Sequence, residues 1–185
     1  TASLPTDWKV DKSTSVRSVG SYSGAVSATE KTDGNNMSAT AANGIYNYGA
    51  GVASTATDRA IGWISSSGAT KSGNLYVLLS NNGAATIPSF TISYNVEKYR
   101  AGSNAAGYSM QMYYSTNGST WTSAGSDFLT SFAADASNAG YASAPGATSS
   151  VTSKTLTQTL AVSGTLYLAW NYSVTSGSTT SNAQG

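Results

Sequence analysis

The sequence predicts an all-β protein, a two-sheet antiparallel β-sandwich of jelly-roll type. Three observations carry that expectation. Apolar and polar residues alternate with period two in segment after segment, as in strands with one face buried. The dipeptides Asp33-Gly34, Asn43-Gly44, Asn82-Gly83 and Asn117-Gly118 punctuate those segments with tight-turn signals. No segment sustains the 3.6-residue period of an amphipathic helix.

In chain order, short apolar runs bounded by turn residues predict strands at 22–28, 44–48, 60–64 and 74–80. Residues 90–97 alternate most clearly. Phe90, Ile92, Tyr94 and Val96 share one face, and Thr91, Ser93, Asn95 and Glu97 share the other. Residues 108–114 repeat the pattern, with Met110, Met112 and Tyr114 opposing Ser109, Gln111 and Tyr113. A short strand is expected at 121–124. Residues 127–136 hold the best helical candidate, one turn gathering Phe128, Leu129 and Phe132. The Ser/Gly/Ala-rich stretch 137–153 reads as a surface crossover loop. Strands at 155–162 and 165–175 are expected to form a hairpin through Ser163-Gly164. In the second of these, Leu166, Leu168, Trp170, Tyr172 and Val174 oppose Tyr167, Ala169, Asn171 and Ser173. The expected core includes Ile92, Val96, Met110, Met112, Leu166, Leu168 and Trp170. Residues 1–185 read as one domain, either mature or excised from a longer secreted protein.

Composition excludes whole classes of chemistry. The chain has no Cys and no His, which removes Ser-His and Cys-His nucleophile pairs and nearly all zinc, copper and iron sites. Nine basic and eight acidic residues leave a net charge of +1, with no basic stripe for nucleic acid. The longest apolar run, at 75–79, is of strand length, so no membrane insertion is expected. Ser and Thr together number 57 while charged residues make only 9%, a balance that points to a secreted or cell-surface bacterial protein.

Carboxylates are the remaining acid–base candidates: Asp7, Asp11, Glu30, Asp33, Asp58, Glu97, Asp127 and Asp135. Only Glu97 falls within a clearly alternating strand, and no enzymatic activity is expected. No cofactor is expected either, although Asp33-Gly34-Asn35-Asn36 offers loop oxygens of the kind a structural calcium takes. Aromatic residues say more. Tyr99, Tyr113 and Tyr167 fall on the polar side of their strands, beside Glu97, Gln111 and Asn171, with Arg100 close by. A ring that stacks on a sugar's C–H face, flanked by amides that read hydroxyls, is one way proteins grip glycans. Tyr also packs half-exposed across strands in proteins that bind nothing.

Several stretches resemble β-sandwich accessory modules of large secreted bacterial proteins, especially those of Bacteroidetes. Leu4-Pro5-Thr6-Asp7-Trp8 is similar to their "LP-x-x-W" opening. Gly44-Ile45-Tyr46-Asn47-Tyr48-Gly49 with Asp58-Arg59-Ala60-Ile61-Gly62 resembles their "G-x-Y-N-F-G … D-R-A-L-G" pair. Tyr94-Asn95-Val96-Glu97-Lys98-Tyr99-Arg100 is similar to "Y-x-x-E-x-W-R", with Tyr99 where Trp is usual. Tyr114-Ser115-Thr116-Asn117-Gly118-Ser119-Thr120-Trp121 is similar to "Y-S-x-D-G-x-x-W", with Asn for Asp. The resemblance implies an extracellular module of carbohydrate-binding-module type, attached to nucleases, glycan-active enzymes or adhesins. It also implies one more apolar strand beyond the segment matching 169–182. This sandwich is therefore expected to have a gap, either because the sequence is cut short before that strand or filled by another strand or by a neighbouring subunit, with residues 1–10 as the suspected filler.

The leading functional expectation is a non-catalytic carbohydrate-binding module. It would hold a polysaccharide or cell-surface glycan on Tyr99, Tyr113, Tyr167, Gln111, Asn171, Glu97 and Arg100. The alternative is a structural or adhesive subunit of a surface layer or filament, assembled by strand donation from a neighbouring domain or subunit.

Overall fold

The computed structural model describes residues 1–66, 68–103 and 107–174. Its strands are β1 (Trp8–Ser13), β2 (Lys31–Asp33), β3 (Gly44–Gly49), β4 (Arg59–Ile64), β5 (Ser72–Ser80) and β6 (Phe90–Lys98). They continue as β7 (Tyr108–Ser115), β8 (Thr122–Ser123), β9 (Leu129–Phe132), β10 (Ala147–Leu156) and β11 (Thr165–Val174). The helical content among the described residues is one 3₁₀ turn, Ser126–Phe128. The protein is an all-β sandwich, as the alternation predicts.

One layer is a six-stranded sheet in the order β1-β5-β11-β7, with β8 and β9 both pairing β7. The other layer is divided into β2-β3-β4 and β6-β10. Pairing is antiparallel except between β2 and β3, which run parallel. Both small sheets pack on the same face of the large one, because β11 sends Leu166 and Leu168 into one core cluster and Tyr172 and Val174 into the other. Against the first pair lie Val151 and Leu156 of β10; against the second lie Ile45 of β3 and Trp63 of β4.

Trp63 locks β4 down. Its ring stacks on Tyr172 at 5.8 Å and its indole N–H donates to the Asp11 carbonyl at 2.8 Å. That close approach requires a glycine beneath it. A Cβ at Gly73 would lie 2.1 Å from the Trp63 indole nitrogen. In the β7–β8 turn, Gly118 takes φ +71°, and the Asn117 side-chain oxygen accepts the amide N–H of Ser119 and Thr120 at 2.9 and 2.8 Å. That is an Asx turn of the kind the Asn-Gly dipeptide predicts.

Several expectations are corrected. Residues 22–28 form no strand; Val26 exchanges backbone hydrogen bonds with Val10 and so covers the outer edge of β1. Residues 147–153, expected as loop, belong to β10, which ends at Leu156 and pairs with β6 across a bulge between Val151 and Lys154. Consequently 155–162 and 165–175 are not a hairpin, and β11 bonds to β5 and β7 instead. The turn at 127–136 is 3₁₀ and then strand. Of residues 1–10, the suspected filler, Trp8, Lys9 and Val10 belong to β1, which pairs β5 at the edge of the large sheet. Thr175 and the end of the chain lie outside the described residues. Of the seven expected core residues, Val96, Met110, Met112, Leu166 and Leu168 are buried, whereas Ile92 and Trp170 are half-buried.

Gly73→Ala should cost about 1–3 kcal/mol, because the methyl group drives into a fully buried indole. Gly68→Ala, which adds a Cβ into open space, should change stability by less than about 0.5 kcal/mol. Urea unfolding of the two variants beside the parent measures both.

Candidate functional site

The seven residues expected to form a binding face do not share one. Glu97, Tyr99 and Arg100 lie on or just after β6 in the divided layer, and the other four lie on β7 and β11 of the large sheet. Tyr99 is 1% exposed, its ring stacked at 4.5 Å on Tyr48, which in turn stacks on Tyr46 at 5.1 Å. Its hydroxyl donates to Glu97 at 2.7 Å, and burial together with that carboxylate pushes the phenol pKa upward. Burial likewise lifts Tyr46, to about 12. Arg100 is fully buried beside these rings and donates to the Ser38 and Ala39 carbonyls at 2.9 Å. It ties the 38–39 loop to the end of β6.

On the large sheet the outward polar row is covered. Residues 15–25 run across it as a clamp. Asn171 is fully buried, donating to Asn74 at 2.6 Å and to the Ser18 carbonyl at 3.0 Å, while its side-chain oxygen accepts from Arg17 at 3.0 Å. Arg17 also donates to the Asn171 carbonyl and to Ser109. Gln111 spends its amide N–H groups on the Met112 and Gly125 carbonyls, both at 3.0 Å. Tyr113 packs with Val19, Tyr22 and Trp121 around buried Tyr76 and Ala169. Tyr167 is wedged between Tyr22, at 5.1 Å, and Gly118. Alternation correctly placed these residues on the outward face; it carried no sign that another segment lies over that face.

Most of the carboxylates also have structural partners. Glu30 pairs with Lys12, Asp135 with Lys98, and Asp127 with Lys154. Asp33 accepts the Gly34 N–H and Asn35 accepts the Ala144 N–H, each at 2.8 Å, so one oxygen of the suspected calcium loop is spent on its own turn and another on the distant 144 segment. Among the described residues no group of three or more acidic side chains could hold a metal ion. Asp11 sits under the clamp, where it accepts from Asn74 at 2.6 Å and from Tyr76 at 2.7 Å. Desolvation raises its pKa in spite of those bonds.

An apolar groove lies elsewhere, in the seam of the divided layer. A groove of about 430 Å³ opens between β4 and β6. Its floor is Trp8, Leu75, Leu168 and Trp170; Ile61 and Trp63 line one side, and Ile92, Tyr94 and Val96 the other. Trp8 stacks on Trp170 at 6.0 Å, and Tyr94 meets Trp170 edge-on at 5.9 Å. This opening explains why Ile92 and Trp170 are only half-buried. Sequence reasoning missed it because every residue of the floor reads as ordinary core. No protein-family model matches the chain, and no curated protein matches it.

Asp11 and Glu30 should give opposite pH signatures. A carboxyl whose folded-state pKa is raised binds its proton more tightly when folded, so stability rises as pH falls through that raised value toward 3.8. Glu30 is held below 4.5: burial raises it, but the hydrogen bonds from Lys12 and the Ile45 N–H outweigh that, so its stabilisation is lost as pH falls below 4.5. Relative to Asp11→Asn, the parent should therefore gain stability on acidification; relative to Glu30→Gln, it should lose it. Urea unfolding across pH 3–7 reads both slopes.

Proposed function

We propose that the protein is a non-catalytic interaction module of a secreted or cell-surface bacterial assembly, and that its ligand is another polypeptide seated between β4 and β6. The groove carries this reading. It is an open groove lined by Trp, Tyr and aliphatic side chains with a few polar groups at its rim, the usual make-up of a binding cleft. Low charge, the abundance of Ser and Thr and the resemblance to extracellular accessory modules support the location. Polysaccharide binding draws less support, because Tyr99, Arg100, Gln111 and Asn171 are committed to internal contacts.

Two measurements test the reading. The hydrophobic dye 1,8-ANS should bind the folded protein and quench Trp emission, and Ile92→Lys should abolish this while circular dichroism stays that of the parent. Affinity electrophoresis through polysaccharide gels should leave mobility unchanged. Retardation by a polysaccharide that Tyr113→Ala or Tyr167→Ala relieves would replace the polypeptide by a glycan.

A further inference from the structure

We infer that Lys98 and Asp135 condense to an amide, an internal covalent staple between the divided layer and the large sheet. Three ion pairs occur among the described residues, and this one differs from the other two. Lys12 and Lys154 keep their side chains in water, whereas that of Lys98 is 6% exposed. A buried ammonium has three N–H donors to place. Among the described residues this one reaches a single acceptor, Asp135, and otherwise faces the Phe132 ring, 5.9 Å from its centroid. Phe132 is in turn stacked on buried Tyr108 at 5.0 Å. Holding a charge out of water against an aromatic wall, with one acceptor, is costly. An amide in the same place has only one donor and one carbonyl to satisfy. The Gly102 N–H already donates to Asp135 Oδ2 at 2.9 Å. The partners at this site therefore suit the condensed pair better than the ionised one.

Backbone hydrogen bonds hold the two groups together before any chemistry. Lys98 ends β6, and Asp135 follows β9, which pairs β7 of the large sheet. The Asp135 N–H donates to the Gly102 carbonyl at 2.8 Å, and the Ala101 N–H to the Ala139 carbonyl at 2.9 Å. The amine and the carboxyl thus meet as an intramolecular pair at high effective concentration.

The reaction needs no other reagent. One proton passes from the Lys98 ammonium to the Asp135 carboxylate, giving the neutral amine and acid that desolvation favours. The amine lone pair attacks Cγ and the Nζ–Cγ bond forms, while the Gly102 N–H supports the oxyanion developing on Oδ2. The Cγ–Oδ1 bond then breaks, and Oδ1 leaves as water with two of the three ammonium protons. The third stays as the amide N–H. Asp135 is partly exposed, which gives the water a way out. In a chain without cysteine, this bond closes the loop from 98 to 135 as a disulfide would elsewhere.

Intact-mass spectrometry of the full chain tests the staple. The parent should weigh one water less than its sequence, and fragmentation of a proteolytic digest should show a branched peptide joining Lys98 to Asp135. Lys98→Arg keeps the positive charge but removes the nucleophilic amine, and Asp135→Ala removes the acceptor carboxyl. Each variant should show the full sequence mass and melt below the parent. A parent of full sequence mass, both fresh and after prolonged incubation, would overturn the inference whether or not the variants fold. So would a deficit that Lys98→Arg retains or that mild alkali removes, which marks a cyclic imide such as one at Asp33-Gly34.

Discussion

Strand β11 is paired on both sides along nearly its whole length, to β5 from Thr165 to Ser173 and to β7 from Tyr167 to Val174. Each face of it then organises a different part of the molecule. Inward, Leu166, Leu168, Tyr172 and Val174 supply the surface on which both small sheets settle. Outward, Asn171 and Ser173 hold the clamp by its backbone and by Arg17. A central strand with no free edge is the least able to shift register, since a slip of one residue would exchange these two faces.

The outward face shows why so polar a chain still folds tightly. Ser72, Asn74, Ser109, Asn171 and Ser173 are all buried at 5% exposure or less, yet each has a hydrogen-bond partner. The partners come largely from the clamp: the Ser15 and Ser18 carbonyls, the Arg17 side chain, and Asp11 at its edge. Buried polar groups are tolerable when satisfied and expensive when half-satisfied, so the clamp and the polar row depend on each other. Removing either would expose the other's unmet donors and acceptors.

How much of this was legible in the sequence depended on what alternation can report. It assigns faces, so the strands expected at 90–97 and 108–114, and the one at 165–175 as far as Val174, are present, with Met112 and Leu168 inside. It does not report what lies over a face, so Asn171 and Gln111 looked like a polar surface when they are a buried interface. Strand β10 escaped because its Ser/Thr-rich sequence alternates weakly and a bulge breaks its register. Residues 22–28 misled in the opposite direction, since Val26 offers apolar character but points outward at 54% exposure. The stretches behind the family resemblance turn out to be structural. Tyr46, Tyr48 and Tyr99 form one stack, Arg100 ties down a loop, and Trp121 donates to the Gly20 carbonyl at 2.7 Å, anchoring the clamp. Residues with such internal roles help to specify a fold and leave its ligand open.

The groove follows from a mismatch between the two layers. The large sheet presents a continuous apolar face from Trp8 through Leu75 to Leu168 and Trp170, while the opposite layer covers it in two pieces. Each piece is anchored separately, β4 through Trp63 on Tyr172 and β6 through Tyr94, whose hydroxyl donates to the Phe128 carbonyl at 2.7 Å. The two pieces also meet at one end of the seam, where Tyr99, just after β6, stacks on Tyr48 of β3 at 4.5 Å. The large sheet is thus fully covered by its clamp on one face and covered in two pieces on the other, with the groove at the seam between them.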